Sequence, residues 1–502
     1  MAPRNQQTSN ESRYQRQAAL LQNQGWDQSK LENSKIAVVG SDALANYTAL
    51  TLSAFGFGNI ELYGQGKVDD LILNNYQRTN DFDYSNGFLF FEAERSKNKA
   101  KALEEIIGKI NPEIDFKGIN LGLQRSENCE LIKKPDLIID TTNDSYSKLS
   151  LIDHALVNDI PLISMSAGTH KGGVGIINYN ETGDQRKLLE NLLFSELNTQ
   201  KQDPIVSQVI AGIGVEEARK IINPLQGEHV INDLIIYNLL SNSRFDHQQD
   251  KIINDDFDLS NYSVCLIGAG ALGNFVGLGL ALRNIGNLAV VDFDVTETTN
   301  LNRQILLYDS VGREKSSALV QKLKKINPRG NYRAKVDKIV PSSSNFFSRN
   351  KFDLIIDTVD NNKTRALLNY FSLKYDIPFI SGGTRYNSGQ VNTCIPNETG
   401  CLNCQADIDN LALGNYQRQS CIYAAQPSVI TSNQITGGLI VGEVPSVLNS
   451  ELYGDFARGE AKFVSNEEFR LSLLPPAVDN CNCYKNDALL KDWGKKMHGV
   501  YD

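Results

Sequence analysis

The fold of this chain is indicated most clearly by one stretch, Val264-Cys265-Leu266-Ile267-Gly268-Ala269-Gly270-Ala271-Leu272-Gly273. An apolar run leads into Gly268, Gly270 and Gly273, spaced G-x-G-x-x-G, and the next apolar segment ends at Asp292. This order is typical of a nucleotide-binding strand, turn, helix and strand. Glycines let the backbone approach an anion, and the helix start offers it unpaired N–H groups. By themselves, these residues fit a dinucleotide-dependent oxidoreductase at least as well as an ATP-binding protein.

The composition is that of an ordinary globular protein. The chain has 502 residues, of which 41% are hydrophobic and 22% charged, enough for about two to four domains. A net charge of -9 without a basic block argues against nucleic acid as a partner. We find neither an apolar leader nor a run of roughly 18 apolar residues, so we expect no signal peptide and no membrane span. The few cysteines, partly in short pairs, indicate a reducing, cytoplasmic setting.

A weaker copy of the same unit lies earlier in the chain. The matching segments are 36–45 with 264–273, 58–60 with 286–288, 110–112 with 326–328, and 136–144 with 353–361. Each copy alternates β-branched runs with helical patterns, as in a parallel sheet covered by helices. We predict an α/β fold of two tandem Rossmann-like domains, residues 1–245 and 246–502, packed face to face as an internal pseudo-dimer. A further homo-oligomer stays open.

The two copies differ at the positions that would hold a nucleotide. The first copy keeps Gly40 but has Asp42 and Ala45 where the second has glycines. Asn143 stands where the second copy has Asp360. We therefore predict that the first copy has lost its nucleotide; the alternative is that it binds a different ligand.

Charged residues follow the second glycine motif in a pattern that hydride transfer does not need. Arg303, within Asn300-Leu301-Asn302-Arg303-Gln304, and then Lys315 offer cations of the kind that phosphoryl and nucleotidyl transfer require. Asp360 follows an apolar strand, where open α/β sheets bind ligands, and its carboxylate suits magnesium. Each residue alone fits a solvated surface charge or a helix cap. Together they favour ATP over a dinucleotide.

The cysteines suggest two kinds of site. Cys401-x-x-Cys404 and Cys481-x-Cys483 offer four thiolates for tetrahedral, structural zinc; two redox pairs or free thiols are the alternative. Cys421 stands alone before an apolar helical stretch. A lone cysteine is usually a small core residue, but a helix start or a nearby cation would give it the thiolate character of a nucleophile.

Residues 262–483 resemble the ThiF/MoeB and ubiquitin-activating enzyme superfamily through all of these motifs together. The first copy resembles the inactive half of its fused members, and Arg13-Tyr14-Gln15-Arg16-Gln17 looks like the family's R-Y-x-R-Q. The resemblance implies magnesium- and ATP-dependent adenylation of a C-terminal carboxylate, carried by a ubiquitin-like protein or a peptide. The paired cysteines are part of this resemblance, although the family's usual pair is C-x-x-C and this chain has Cys481-x-Cys483.

The resemblance assigns a role to each candidate residue. Arg303 and Lys315, with Arg16 reaching across the interface, would stabilise charge on the phosphates. Asp360 would bind magnesium, and Cys421 would accept the acyl group as a thioester for hand-over to a carrier enzyme. The residues implied to hold ATP are Gly268, Gly270, Gly273, Asp292, Asp294, Asn300 and Gln304.

Two departures from the family keep alternatives open. Too few residues separate Cys404 from Cys421 for a large catalytic-cysteine domain, and we expect no ubiquitin-fold domain after Cys483. An alternative is therefore adenylation of a sulfur-carrier protein or peptide without an enzyme thioester. A nucleotide-sensing or dehydrogenase-like module is a third interpretation, which predicts binding without pyrophosphate exchange.

Overall fold

The computed structural model of this chain contains two mixed β-sheets, each flanked by helices. It describes residues 12–17, 25–69, 87–123, 126–179, 201–246, 258–413, 428–465, 468–476, 481, 483 and 495. Cys421 and residues 247–257 therefore lie outside the described residues.

The first sheet has seven strands in the order β3-β2-β1-β4-β5-β6-β7. The first five strands are parallel, and the last two pair antiparallel. The strands are β1 (Lys35–Val39), β2 (Asn59–Tyr63), β3 (Asp115–Ile119), β4 (Leu137–Asp140), β5 (Leu162–Ala167), β6 (Lys171–Ile177) and β7 (Ile235–Asn238). The helices are α1 (Gln28–Asn33), α2 (Ala43–Phe55), α3 (Lys99–Ile110), α4 (Ser126–Cys129), α5 (Ser145–Val157) and α6 (Pro204–Ile222).

The second sheet repeats this order with one more strand, as β10-β9-β8-β11-β12-β13-β14-β15. The strands are β8 (Ser263–Ile267), β9 (Asn287–Val291), β10 (Asn331–Lys335), β11 (Leu354–Asp357), β12 (Phe379–Arg385), β13 (Ser388–Cys394), β14 (Glu460–Val464) and β15 (Arg470–Leu474). The helices are α7 (Ala271–Leu282), α8 (Lys315–Ile326), α9 (Ser344–Asn350), α10 (Asn362–Tyr375), α11 (Leu402–Ala406), α12 (Ile408–Leu413), α13 (Ile430–Leu448) and α14 (Ser450–Tyr453).

The shared topology confirms the duplication and the tandem Rossmann-like fold. The central strands β1 and β8 are buried along almost their whole length, as parallel strands covered on both faces must be. Each strand ends at a glycine with positive φ, +128° at Gly40 and +100° at Gly268, which turns the chain sharply into the following helix. The boundary between residues 245 and 246 stays a prediction.

The two halves pack through α6 and α13, which are buried along nearly their whole length. At their crossing, the Gln208 side chain donates to the Gln434 carbonyl at 3.0 Å, and the Gln434 side chain donates to the Gln208 carbonyl at 2.9 Å. Such reciprocal contacts are the mark of an interface with two-fold symmetry. The chain is therefore an internal pseudo-dimer, as predicted.

Two buried ion pairs join the halves. Arg283 donates to both carboxylate oxygens of Asp203, at 2.6 and 3.0 Å, and Arg244 donates to those of Glu443, at 2.7 and 3.0 Å. Such two-pronged pairs combine charge with fixed geometry. In the described residues, no helix is long and apolar enough to cross a membrane.

Candidate functional site

The three glycines of the G-x-G-x-x-G motif in the second half differ in the space around their Cα atoms. A Cβ on Gly268 would lie 2.7 Å from the Thr358 hydroxyl, and one on Gly273 would lie 2.1 Å from the Gly268 carbonyl oxygen. A Cβ on Gly270 would meet nothing within 4 Å. Gly268 and Gly273 thus allow the turn to form and the helix to pack against it. Gly270 leaves bare backbone facing open space at the start of α7, where a phosphate fits.

Asp292 joins the glycine turn to the end of β9. Its carboxylate accepts a hydrogen bond from the Ala269 N–H at 2.7 Å and another from the Asp294 N–H at 2.7 Å. Burial raises the pKa of Asp292, partly offset by these hydrogen bonds. The carboxylate is held in place beside the turn and keeps acceptor capacity for a ribose hydroxyl.

Lys315 is the first residue of α8 and is nearly buried. Its ammonium group lies 3.0 Å from an oxygen of Asp294, a half-exposed carboxylate. Its backbone N–H donates to the Asp294 carbonyl at 2.9 Å. The structure therefore brings Lys315 and Asp294 to the same end of the sheet as the glycine turn.

Arg303 is a buried cation that, among the described residues, forms no ion pair with a carboxylate. The residue is 5% exposed, and its guanidinium donates to the Thr299 carbonyl at 2.8 Å and to the Asn302 side-chain oxygen at 2.7 Å. Within the described part of the chain, it has no carboxylate oxygen within 4.0 Å. Burial, and then the charge of Arg16, lowers the pKa of Arg303 to about 10. An anionic ligand would supply the missing charge.

Arg16 belongs to the first half but lies against the second. Its guanidinium is 3.7 Å from a Glu297 carboxylate oxygen, and its charge is felt at Arg303. Glu297 is well exposed, so the attraction between these two side chains is weakened by solvent. Two arginines, one from each half, thus converge on one place.

The segment that carries Arg16 also fixes the turn that carries Arg303. The Arg13 guanidinium donates to the Leu301 carbonyl at 3.2 Å. The Asn302 side chain donates to the Gln17 side-chain oxygen at 2.8 Å, and Gln17 in turn donates to the Phe55 carbonyl at 2.7 Å. Because Asn302 also accepts from Arg303, Gln17 of the first half helps to orient a cation of the second.

The remaining predicted nucleotide residues are buried beside this turn. The Asn300 side chain accepts from the Glu297 N–H at 3.1 Å and closes the short turn 298–300. Gln304 is 4% exposed, and its side-chain oxygen has no partner among the described residues. A buried unpaired oxygen costs free energy, which a ligand donor would recover.

Two acids at the C-terminal end of β11 differ in their burial. Asp357 is fully buried, accepts from the Ser381 hydroxyl at 2.8 Å and is paired with Arg365 at 2.8 Å; burial raises its pKa. Asp360 is exposed at the same end of the sheet. Of these two acids, only Asp360 is therefore accessible to a magnesium ion carried by a nucleotide.

In the first half, the counterpart of the glycine turn carries the side chain of Asp42 at the position of Gly270. Lys99 begins α3 as Lys315 begins α8, and its ammonium group lies 2.6 Å from an oxygen of Asp42. Asp42 replaces Gly270, so a side chain stands at the position where the second half has open backbone. Lys99 was not among the site residues predicted from the sequence, although its place at a helix start matches that of Lys315.

The four paired cysteines come together in the second half. Their sulfur atoms all lie within 4.8 Å of one another, with Cys401–Cys404 and Cys404–Cys483 each at 3.7 Å. Tetrahedral zinc with bonds of about 2.3 Å places sulfurs about 3.8 Å apart, so the donor set fits zinc. Hydrogen bonding from Cys401 lowers the pKa of Cys481 to about 5. Zinc here would tie the segment around Cys481 to α11.

Comparison with known proteins agrees with this architecture. The profile of the ThiF family matches residues 14–253 and again residues 247–485. SUMO-activating enzyme subunit 2 of Dictyostelium discoideum is 30% identical over 32% of this chain and 25% of its own length. Protein HesA of Leptolyngbya boryana is 31% identical over 29% of this chain and 53% of its own length. The adenylyltransferase and sulfurtransferase uba4 of Aspergillus niger is 32% identical over 28% of this chain and 29% of its own length. The matches thus span about half or less of these relatives.

Proposed function

The chain belongs to the ThiF family, and from that premise we propose that it is an enzyme that adenylates the C-terminal carboxylate of a protein or peptide with ATP. The active site is in the second half, and the first half contributes Arg16. The predicted domains, residues 1–245 and 246–502, are part of this proposal.

The observation that carries the proposal is the buried Arg303 with Arg16 beside it. A dinucleotide enzyme needs no such pair, whereas a triphosphate brings the negative charge that Arg303 lacks. Lys315 and the open backbone at Gly270 lie at the same end of the second sheet. The relatives named as an activating-enzyme subunit and as an adenylyltransferase support the same reaction class.

In the proposed reaction, a carboxylate oxygen attacks the α-phosphorus of ATP. A new P–O bond forms the acyl-adenylate, the bond to the β-phosphate breaks, and pyrophosphate leaves. Arg16, Arg303 and Lys315 stabilise charge on the phosphate oxygens. Asp292 would hold the ribose, and Asp360 would hold a magnesium ion, whose charge would screen the phosphates.

The proposed substrate is a ubiquitin-like protein, and the proposed second step is thioester formation at Cys421. There the thiolate attacks the acyl carbon, AMP leaves, and a carrier enzyme then receives the acyl group. The second candidate is adenylation of a sulfur-carrier protein or peptide without that step, which the similarity to an adenylyltransferase and sulfurtransferase favours.

ATP–pyrophosphate exchange tests the proposal. Small β-grasp proteins with a free C-terminal Gly-Gly, and peptides with the same end, should stimulate exchange, whereas their C-terminal amides should not. Tight ATP binding without exchange for any free carboxylate would instead indicate a nucleotide-sensing module.

Cys421→Ala separates the two candidates. We predict that this variant keeps exchange and loses a thiol-sensitive adduct that is visible on a non-reducing gel. An unchanged adduct would exclude Cys421, and an enzyme that forms no adduct at all would favour the sulfur-carrier candidate.

A further inference from the structure

Asn274 is a buried polar residue that the proposed reaction leaves without a role. It lies in the first turn of α7, just after the glycine motif, and is 0% exposed. A buried amide is costly unless its donors and acceptor are all paired. Its partners therefore indicate what it does.

All the hydrogen-bonding groups of Asn274 are satisfied, by two different segments. Its side-chain nitrogen donates to the Ala269 carbonyl at 3.0 Å and to the Gly270 carbonyl at 2.8 Å. Its side-chain oxygen accepts from the Leu306 N–H at 3.0 Å. One side chain thus joins the glycine turn to the segment around Leu306.

The segment around Leu306 is rigidly connected to Arg303 and Gln304. The backbone N–H groups of both residues donate to the Asn300 carbonyl, at 3.1 and 2.9 Å, and the Leu307 N–H donates to the Gln304 carbonyl at 3.0 Å. A displacement of Leu306 therefore moves the cation and the amide that face the phosphates.

We propose that Asn274 is a positioning residue for ATP, which sets the distance between the backbone of the glycine turn and the Arg303 guanidinium. The proposal rests on the proposed function, since it requires an ATP site in this half. Its physical basis is that binding and reaction depend steeply on placement, so that an error of about 1 Å in a catalytic group costs about 100-fold in rate.

The first half contains a matched control. Asn46 occupies the same place in α2, donates to the Asp42 carbonyl at 3.0 Å, and accepts from the Phe88 and Leu89 N–H groups at 3.2 Å. Asp42 takes the place of Gly270 in this half, so we expect Asn46 to hold the turn together in the same way without positioning a nucleotide.

The experiment compares Asn274→Ala with Asn46→Ala. Both should lower the urea midpoint of unfolding by similar amounts. Only Asn274→Ala should weaken magnesium-ATP binding, by about 10-fold or more in Kd by calorimetry, and should slow exchange by about 100-fold. An ATP affinity within two-fold of the wild type, or an equal loss in Asn46→Ala, would overturn the proposal.

A second variant covers a failure to fold. Asn274→Leu keeps the volume of the side chain and removes its donors and its acceptor without adding a charge. It should show the same loss of ATP affinity, and wild-type affinity would count against the proposal. Because ATP binding needs no carboxylate substrate, this result is distinct from a failure of the proposed function, which would appear as absent exchange in the wild type.

Discussion

Replacing Arg303 by methionine should cost the nucleotide-free protein little stability while destroying its ATP site. Arg303 is 5% exposed and has no carboxylate within 4.0 Å in the described part of the chain. An arginine cannot escape this cost by losing its proton. Methionine keeps an unbranched apolar stem of similar length without the charge.

The expected effect follows from the pKa of Arg303. Burial and the neighbouring Arg16 lower it to about 10, and at about 1.4 kcal/mol per pKa unit the charged form costs the folded state about 3 kcal/mol. The guanidinium hydrogen bonds to Thr299 and Asn302 are charge-assisted, and their loss subtracts about 1.5 kcal/mol or more each. The two effects nearly cancel, and we therefore expect Arg303→Met to leave the stability of the nucleotide-free protein within about 1 kcal/mol of the wild type.

Arg283→Met provides the matched comparison, because Arg283 is an equally buried arginine with a carboxylate partner, Asp203. Removing it leaves a buried charge unpaired, which costs about 3–5 kcal/mol. The two arginine-to-methionine changes should thus differ clearly in size, with the larger loss of stability at Arg283.

Urea unfolding with and without magnesium-ATP measures both effects. The midpoints are compared rather than extrapolated free energies, because two domains in one chain need not unfold in one step. ATP should raise the midpoint of the wild type by mass action and leave that of Arg303→Met nearly unchanged. If Arg303→Met lowered the nucleotide-free midpoint as far as Arg283→Met, Arg303 would not be a buried cation without a carboxylate partner.

Two further predictions concern other contacts. Gln17→Leu removes the partner of Asn302 and should lower kcat for exchange by about 10-fold with a smaller change in the free energy of unfolding; unchanged kinetics would exclude a role for Gln17 in orienting Arg303. Cys481→Ser should remove bound zinc, measured by atomic absorption, and lower the thermal midpoint of the second half. A zinc content equal to that of the wild type would exclude the four-cysteine site.

Much of the fold follows from the sequence because its signals are local and repeated. Apolar runs ending at Gly40 and Gly268, and the recurrence of segments in the same order, suffice for two tandem Rossmann-like domains. The two cysteine pairs were also expected to lie close together, because a structural zinc site requires four ligands. The structure confirms the tandem fold, while the site residues remain predictions for experiment.

Other features could not be read from the sequence because they depend on contacts between distant segments. Nothing in the sequence sets Asn274 apart from the other residues after the glycine motif. Only the fold shows that its side chain also accepts a hydrogen bond from the Leu306 N–H. The pairing of Asp42 with Lys99 likewise depends on where α3 begins. Asp357 and Asp360 are near neighbours in sequence, yet packing buries one and leaves the other exposed.

The exchange rate of Arg16→Ala shows whether the first half completes the ATP site of the second. With a carboxylate substrate that stimulates the wild type, we expect ATP–pyrophosphate exchange to fall by about 10³-fold or more, as when an arginine supplied in trans is removed. The fold should be preserved, because the Arg16 side chain is partly exposed and its contact with Glu297 is long. An exchange rate equal to that of the wild type would contradict the account.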